Sequence, residues 1–563
     1  MQDSSVTLAE GQAAASPNGT GKRAGYSGRR VWITGLTVAT LLLFVVFYRL
    51  SWTFEVNSDG ANIDLMAWDM LHGNWLLHGW YMSDVPYLTT ELPQYALIEA
   101  IFGLHPVVTH IAAAMTYTLA VLLTVLLAKG TGSGRAALVR VLVAAGIMLA
   151  PQYNSGVFIL VLSVGHIGAS VPLLLILLIL DRARPRWQVA AVIGVLLAWA
   201  TIGDALTYVV GSVPLAVACT TRVGLHIVKN RGAVRAAFVA KRYEVQLAVA
   251  AVVSIAAAKA GLRLVHALGG LTLYPVQFNF MGTHRLAEHI ALTWRAVLVL
   301  FGADYYGSHN GGIWVAATFL HFAGLALVAW GFGLVALRYF RGAGIIEQVM
   351  AGGIALNLLL FATSGVAKMN AHELAVILPY GAALAARLIP GHRPAARSSA
   401  DLTALSRLTT RPAARRVAAI AGIAVLAGYL ACLVGTTTRP PVGPSESQLT
   451  SFLAEHHLTY GLGGYWEASI VSVNSSDAVQ VRALAGKKKF LWEAKGSWYD
   501  AKSHYANFIV QEKGYDYATV AQGEAKVRSE FGQPAKVYTI ESGQYLVMVY
   551  DDNLLTQVRR STF

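Results

Sequence analysis

VWITGLTVATLLLFVVFYRL, residues 31–50, is an apolar run whose one charge, Arg49, sits at its end. A helix needs about 20 apolar residues to cross the hydrocarbon core of a bilayer, and this stretch supplies them. Ahead of it, Met1 to Arg30 is polar and rich in small residues, and it ends in Lys22, Arg23, Arg29 and Arg30. A signal peptide would be cut soon after its apolar stretch at small residues. The bulky flanks here predict instead a retained first span preceded by a disordered cytoplasmic segment, residues 1–30.

The pattern repeats along the chain. Further runs of spanning character cover 107–128, 136–152, 158–180, 187–203, 206–226, 245–265, 312–337, 345–366, 371–388 and 416–436. Together they predict about eleven transmembrane helices. Basic residues concentrate on the cytoplasmic side of membrane proteins, which gives an independent check. With the N-terminus cytoplasmic, the inner loops carry Lys129 and Arg135; Arg182, Arg184 and Arg186; Arg222, Lys229, Arg231, Arg235, Lys241 and Arg242; Arg338 and Arg341; and Arg393, Arg397, Arg407, Arg411, Arg415 and Arg416. One helix more or fewer would put a basic cluster on the wrong face.

Composition agrees. Of 563 residues, 55% are hydrophobic and 13% charged, and the mean hydropathy is +0.51. Soluble domains carry about 25% charged residues. The formal charge of +14 resides in the loop clusters rather than on a basic face with interleaved aromatics, so nucleic acid is excluded as a partner. The two cysteines, Cys219 and Cys432, both fall in apolar runs and form no disulfide framework.

Two outer loops, 51–106 and 266–311, are too long to be connectors, and long loops are usually functional. Segments of helical spacing within them, such as Ile63, Met66, Ala67, Met70 and Leu71, are expected to lie along the membrane surface. After Thr436 a linker, RPPVGPSES, leads to a stretch of different character. ASIVSVN, AVQVRAL, KVYTIES and QYLVMVYDD read as strands, and SQLTSFLAEHH and GEAKVRSEFG as helices. Residues 437–563 are thus expected to form an extracytoplasmic α+β domain beyond a transmembrane domain over 31–436.

The first outer loop holds the residues that suggest chemistry: NSDGANIDLMAWDMLHGNWLLHGWYMSDVPYLTTELPQY, with Asp59, Asp64, Asp69, Asp84 and Glu91. Carboxylates beside a membrane need a reason, because desolvating an unpaired one is costly. Asp59 follows the first span by a few residues and is held near the bilayer edge. The bland readings are that Asp59 caps a surface helix and that Asp64 and Asp69 lie on its polar face. Trp75, Trp80, Tyr81 and Tyr87 either stack on sugars or form an interfacial aromatic belt.

This segment resembles the first loop of GT-C class membrane glycosyltransferases, in particular the protein O-mannosyltransferase and lipid A aminoarabinose transferase families. Their pattern runs D-E-A-R-Y, then M-L, G-D-W and P-Y-x-x-K-P-P. The counterparts are Asp59 to Ile63, Met70 with Leu71, Gly73 to Trp75, and Pro86 to Pro93. Gly60 stands where the family has its second acidic residue, Asn62 where it has Arg, and Glu91-Leu92-Pro93 where it has Lys-Pro-Pro.

The resemblance implies a GT-C-like polytopic helical enzyme that moves a sugar from a polyprenyl-phosphate donor to a glycan, lipid or protein acceptor outside the cytoplasm. By motif position Asp59 would be the general base. A leaving lipid phosphate is already a weak base, so one carboxylate taking the acceptor's proton suffices. Glu91 would orient the acceptor or join Asp59 in binding Mg²⁺ or Mn²⁺, which favour hard oxygen ligands. Phosphate-binding cations are expected from Arg285, Arg295 and Lys368, since Arg presents a bidentate fork. Tyr87, His284, His289 and His372 are the expected substrate contacts. Arg295 as a snorkelling anchor and Asp204 as a functional group or a cap are also open. Tyr465, Trp466 and Glu467 read as domain core or as a sugar-binding group. Competing functions are a transporter or flippase of a lipid-linked substrate, and a non-catalytic envelope scaffold.

Overall fold

The structure, a computed structural model, describes residues 21–149, 158–162, 165–274, 279–306, 313–365, 371–389 and 412–561. Helix α1 (Gly21–Ser51) contains the first apolar run and begins ahead of it. The first outer loop holds α2 (Ser58–Leu71), β1 (Trp80–Met82) and α3 (Glu91–Phe102). Helices α4 (Val107–Lys129), α5 (Gly134–Leu149), α6 (Ser170–Arg182), α7 (Trp187–Gly203) and α8 (Val213–Lys229) follow. Then come a short α9 (Val234–Ala240), α10 (Arg242–Ala267), β2 (Thr272–Leu273), α11 (Leu286–Leu300), α12 (Ile313–Arg338), α13 (Ile345–Thr363) and α14 (Ile377–Arg387). The last apolar helix is Pro412–Thr437.

Every apolar run expected to span contains helix. Among the described residues seven helices are long and apolar enough to cross a membrane, so the chain is a multi-pass membrane protein. The runs around α5, α6, α7 and α14 fold as shorter helices of 16, 13, 17 and 11 residues. Shortness is tolerable where neighbours rather than lipid surround the backbone. Helix α14 shows this: Ile377 to Ala386 are all buried. At the end of α14, Arg387 clamps three other helices, bonding Asp181 at 2.9 Å, Glu347 at 2.7 Å and the Leu127 carbonyl at 2.8 Å.

Beyond the last span lies a six-stranded mixed sheet, order β5-β4-β3-β7-β9-β8. Its strands are β3 (Tyr460–Gly463), β4 (Gln480–Ala485), β5 (Lys488–Lys489), β7 (Phe508–Glu512), β8 (Lys536–Ile540) and β9 (Tyr545–Val549). Strand β3 is parallel to both β4 and β7. AVQVRAL, KVYTIES and QYLVMVYDD supply strands as expected, and the two expected helices form at Ser447–Glu455 and Val520–Phe531. ASIVSVN does not form a strand. It belongs to the helix Tyr465–Asn474, where Glu467 to Val473 are all buried. A short apolar run buried on every side carries no periodicity to separate helix from strand.

The sheet domain is tied to the outer loops. A three-stranded sheet, β2-β1-β6, joins the first loop, the second loop and Ala494–Lys495, which is β6. Helix α2 is therefore no membrane-surface helix. It packs on α3 and on the helix Tyr465–Asn474, and Ala61, Ile63, Met66 and Ala67 share one core with Ile470 and Val473. Asp64 and Asp69, expected on a polar face, are both spent internally. Asp64 is fully buried and accepts from the Thr109 hydroxyl at 2.9 Å. Asp69 pairs with Lys495 at 2.9 Å and accepts from the Trp80 indole at 2.7 Å. Trp80 is core rather than belt, whereas Trp75 is exposed.

Ile470 is fully buried where α2 meets the sheet domain. Truncating such a side chain costs about 2–5 kcal/mol. Ile470→Ala is expected to lower the melting temperature of the detergent-solubilised chain, whereas an exposed control such as Val442→Ala leaves it in place.

Candidate functional site

Helix α2 starts where Asn57 accepts the Asp59 amide at 3.1 Å. Asn57 is thus the cap, and the Asp59 side chain is left free of that duty. One carboxylate oxygen, Oδ1, accepts from the Tyr465 hydroxyl at 2.6 Å. Enclosure raises the Asp59 carboxyl above its ordinary value, while the Tyr465 bond and the nearby His372 pull the other way. Around Tyr465, the Asn62 amide donates to the tyrosine oxygen and to Glu493, both at 3.0 Å. Burial pushes the Glu493 carboxyl up to about 7, with the Asp59 charge adding to it.

A second cluster stands beside the first. His166 is buried ahead of α6, with Nδ1 2.7 Å from Asp204 and Nε2 3.0 Å from Glu373. Asp204 ends α7, and its other oxygen accepts the Leu206 amide at 2.8 Å. It caps the end of α7 and partners His166 at once. His372 stacks on the His166 ring at 6.3 Å and lies 3.7 Å from Glu373. A cavity of about 440 Å³ opens on this cluster. Its wall combines Asp84, His166, Asp204, Asn357 and Glu373 with the apolar Leu206, Val209, Leu360 and Phe361. The wall is irregular backbone and helix ends, including a π-helical turn at Tyr208–Ser212, the kind of backbone that membranes admit beside a cavity.

Tyr87 and Glu91 close the first loop against this cluster. Tyr87 is buried with a left-handed φ of 51°, and its amide donates to the Gly203 carbonyl at 3.0 Å. A bulky residue holds that conformation only where its surroundings over-determine it. Glu91 opens α3, accepts from the Thr90 hydroxyl and lies so close to Gly168 that a Cβ there would overlap its carboxylate. Burial lifts its carboxyl to about 7.

Of the expected site residues, the structure gathers Asp59, Tyr87, Glu91 and His372 about the two clusters and leaves others apart. Arg285 forms a two-bond pair with Glu288, three residues on, at 3.0 Å. Arg295 faces Asp304 at 3.9 Å and the Tyr306 ring at 5.8 Å. His284 is exposed and His289 buried, because five residues put them on different sides of the chain. Lys368 lies outside the described residues. Asp59 and Glu91 belong to separate hydrogen-bond networks, and among the described residues no group of three or more His, Cys, Asp or Glu could hold a metal ion. The donor set for the expected Mg²⁺ or Mn²⁺ is not gathered there, and no step is routed through one. His166, Glu373 and Glu493 went unassigned in the sequence, and Tyr465, read there as domain core or part of a sugar-binding group, instead bonds Asp59. A His and a Glu inside apolar runs, at 166 and 373, are the signal that marked them, since ionisable groups there are rare and functional.

Neither a protein-family model nor a curated protein matches this sequence. Among solved structures, the chain is similar to ArnT from Cupriavidus metallidurans bound to undecaprenyl phosphate. Identity is 12% and the TM-score 0.52, over 93% of this chain and 98% of that one. The fold is that of the GT-C membrane glycosyltransferases. The archaeal oligosaccharyltransferase AglB from Archaeoglobus fulgidus, in complex with an inhibitory peptide and a dolichol-phosphate, aligns at 13% identity and TM-score 0.44, over 91% of this chain and 74% of that one. The apo form of the Archaeoglobus fulgidus oligosaccharyltransferase gives 12% and 0.46, over 87% and 71%. Within the GT-C fold, the departures noted in the first loop have local causes. A Cβ at Gly60 would meet Thr109 and Val56 side-chain carbons at 3.2 Å, a tight contact that would require those neighbours to give way. Asn62, in place of Arg, reaches Tyr465 and Glu493 of the C-terminal domain.

Removing one member of a buried pair leaves an uncompensated charge, at a cost of about 3–5 kcal/mol. His166→Leu is therefore expected to lower the melting temperature sharply. Adding Asp204→Asn to it restores part of the loss, a coupling that a double-mutant cycle measures.

Proposed function

We propose that the chain transfers a sugar from a polyprenyl-phosphate donor to an acceptor on the extracytoplasmic side, with Asp59 as general base. The observation that carries this reading is the state of Asp59: Oδ1 is held by Tyr465, and no described residue bonds Oδ2. Such a carboxylate is oriented yet still open to a proton. The neighbouring cavity, lined by both apolar and polar side chains, suits a lipid chain that carries a headgroup. In the same fold, ArnT was solved with undecaprenyl phosphate bound.

In this reading the lipid-linked sugar enters with its tail along Leu206, Val209, Leu360 and Phe361. Asp84, Glu373 and Asn357 accept or donate to its hydroxyls. The acceptor hydroxyl attacks the anomeric carbon, its proton passes to Asp59 Oδ2, and the carbon–oxygen bond to the lipid phosphate breaks. Polyprenyl phosphate leaves with the bonding electrons, so no strong general acid is needed. His372 is the described group best placed to face the phosphate, beside His166 and next to the segment that holds Lys368. Glu91 is buried behind the wall and supports the Thr90 turn rather than touching substrate.

The orientation is supported by where charge lies along the bundle. Gly203 ends α7 at the Tyr87 contact, whereas Arg182, Arg184 and Arg186 lie before its start. Basic loops thus sit at the end away from the site, as expected if the site is extracytoplasmic.

Asp59→Asn in proteoliposomes is expected to lower transfer from polyprenyl-phosphate sugars by roughly 10²–10⁴-fold. Full retention would remove the base assignment. A base works ionised, and enclosure raises the Asp59 carboxyl. Activity should therefore climb with pH through a limb above the ordinary carboxylate range of about 4, as a kcat/KM profile would show.

A further inference from the structure

We propose that Tyr465, on the C-terminal domain, is a positioning residue for the base: its hydroxyl holds Oδ1 of Asp59 and leaves Oδ2 as the reacting oxygen. The inference rests on the transfer reading for its consequence, though the geometry of the contact stands apart from it.

Hydrogen-bond accounting fixes the direction of each donor. The Asn62 amide has two hydrogens and spends one on the Tyr465 oxygen and one on Glu493 Oε2, both at 3.0 Å. A tyrosine hydroxyl has one proton. It lies 2.6 Å from Asp59 and 3.5 Å from Glu493, so it goes to Asp59. With its oxygen already accepting from Asn62, the hydroxyl cannot swing away without stranding that amide hydrogen. One oxygen of Asp59 is occupied and aimed, and no described residue bonds the other. That arrangement is preorganisation of a base rather than mere contact.

The contact is not needed to dock the domain. Ser58 already donates to the Trp466 carbonyl at 2.6 Å, Lys495 pairs with Asp69 at 2.9 Å, and β1 pairs with β6. None of these ties uses the Tyr465 hydroxyl. The sequence also places Tyr465 for reach. Strand β3 ends at Gly463, Gly464 follows, and the helix begins at Tyr465 with its first turn closed by Glu467 on the Gly464 amide at 2.7 Å. A tyrosine at the first position of a helix whose body packs on α2 points across the interface at the start of α2. The other titratable groups about this pair are His372 before α14, Glu493 before β6, and Asp84 and Tyr87 of the first loop.

Dicyclohexylcarbodiimide, which modifies enclosed protonated carboxyls, tests the hold on Asp59 in the full-length detergent-solubilised chain. The readout is the pH midpoint at which Asp59 labelling is lost, followed by mass spectrometry, with Asp59→Asn as the blank. A hydrogen bond to the ionised form favours it. Tyr465→Phe should therefore move the midpoint up by roughly one unit, with the melting temperature unchanged. Tyr465→3,5-difluorotyrosine keeps the ring, strengthens the donor and should move it down, which covers the case in which the Phe variant misfolds. In transfer assays with undecaprenyl-phosphate mannose, Tyr465→Phe should lower kcat with little change in donor KM. A midpoint that ignores both substitutions overturns the inference, even where Asp59→Asn abolishes transfer. Transfer that survives Asp59→Asn while the midpoint still moves overturns the base assignment, and with it the catalytic meaning of the contact, but not the contact.

Discussion

Everything at the outer face depends on α2 being clamped on two sides. Its apolar positions meet α3 and α4 on the membrane side and Ile470 and Val473 on the other. Each fully buried side chain of this kind contributes about 1.5–3 kcal/mol. That sum offsets the penalty of enclosing the carboxyl groups of Asp59, Asp64 and Asp69, three in one short helix. It also removes the freedom of the helix to roll. A roll of α2 would take Asp59 from Tyr465, Asp64 from Thr109 and Asp69 from Lys495 together, so the three contacts and the core specify one rotation.

The polar chamber beside this clamp is electrostatically unfavourable by itself. Asp59, Asp84, Glu91, Asp204, Glu373 and Glu493 gather around two histidines, His166 and His372. Burial and mutual repulsion push Glu91 and Glu493 to about 7. Local hydrogen bonds hold the arrangement: Thr90 on Glu91, Asn62 on Glu493, and the His166 ring between two carboxylates. The left-handed Tyr87 adds backbone strain at the same place. Strain and crowded charge at one spot of an otherwise well-packed chain are the pattern of a site kept for function at some cost in stability.

The helical part of the fold was legible because hydropathy and loop charge are one-dimensional signals. Residues 31–50, 107–128 and 345–366 carry them plainly. The sequence motif likewise pointed to Asp59 and Tyr87, since chain order near the first span keeps those groups at the outer face, and His372 stands out by its place at the outer end of a later span. What stayed hidden was long-range pairing. Nothing local tells that Asn62 meets Glu493, or that Asp69 meets Lys495, more than four hundred residues apart. ASIVSVN misled because it is buried all round. Arg285 and Arg295 stand out by type, as cations in an outer loop, and only the fold shows Arg285 paired with Glu288 and Arg295 facing Asp304.

The same docking explains why this loop departs from the family pattern where it does. Asp59 is kept. Gly60 lies close to Thr109 and Val56, whose side-chain carbons would meet a Cβ there at 3.2 Å, so a second acidic group would have to press both neighbours aside. Asn62 lies under the C-terminal domain, in contact with a carboxyl at Glu493 and a tyrosine at 465. Read along the chain alone, the two replacements weaken an enzyme reading, since each deletes a charge. Read in the fold, they are what allows α2 to be packed from both sides, and the carboxyl missing at position 60 is matched by one that the C-terminal domain brings to the same end of the helix. A chamber assembled from two parts of the chain needs fewer charges in either part.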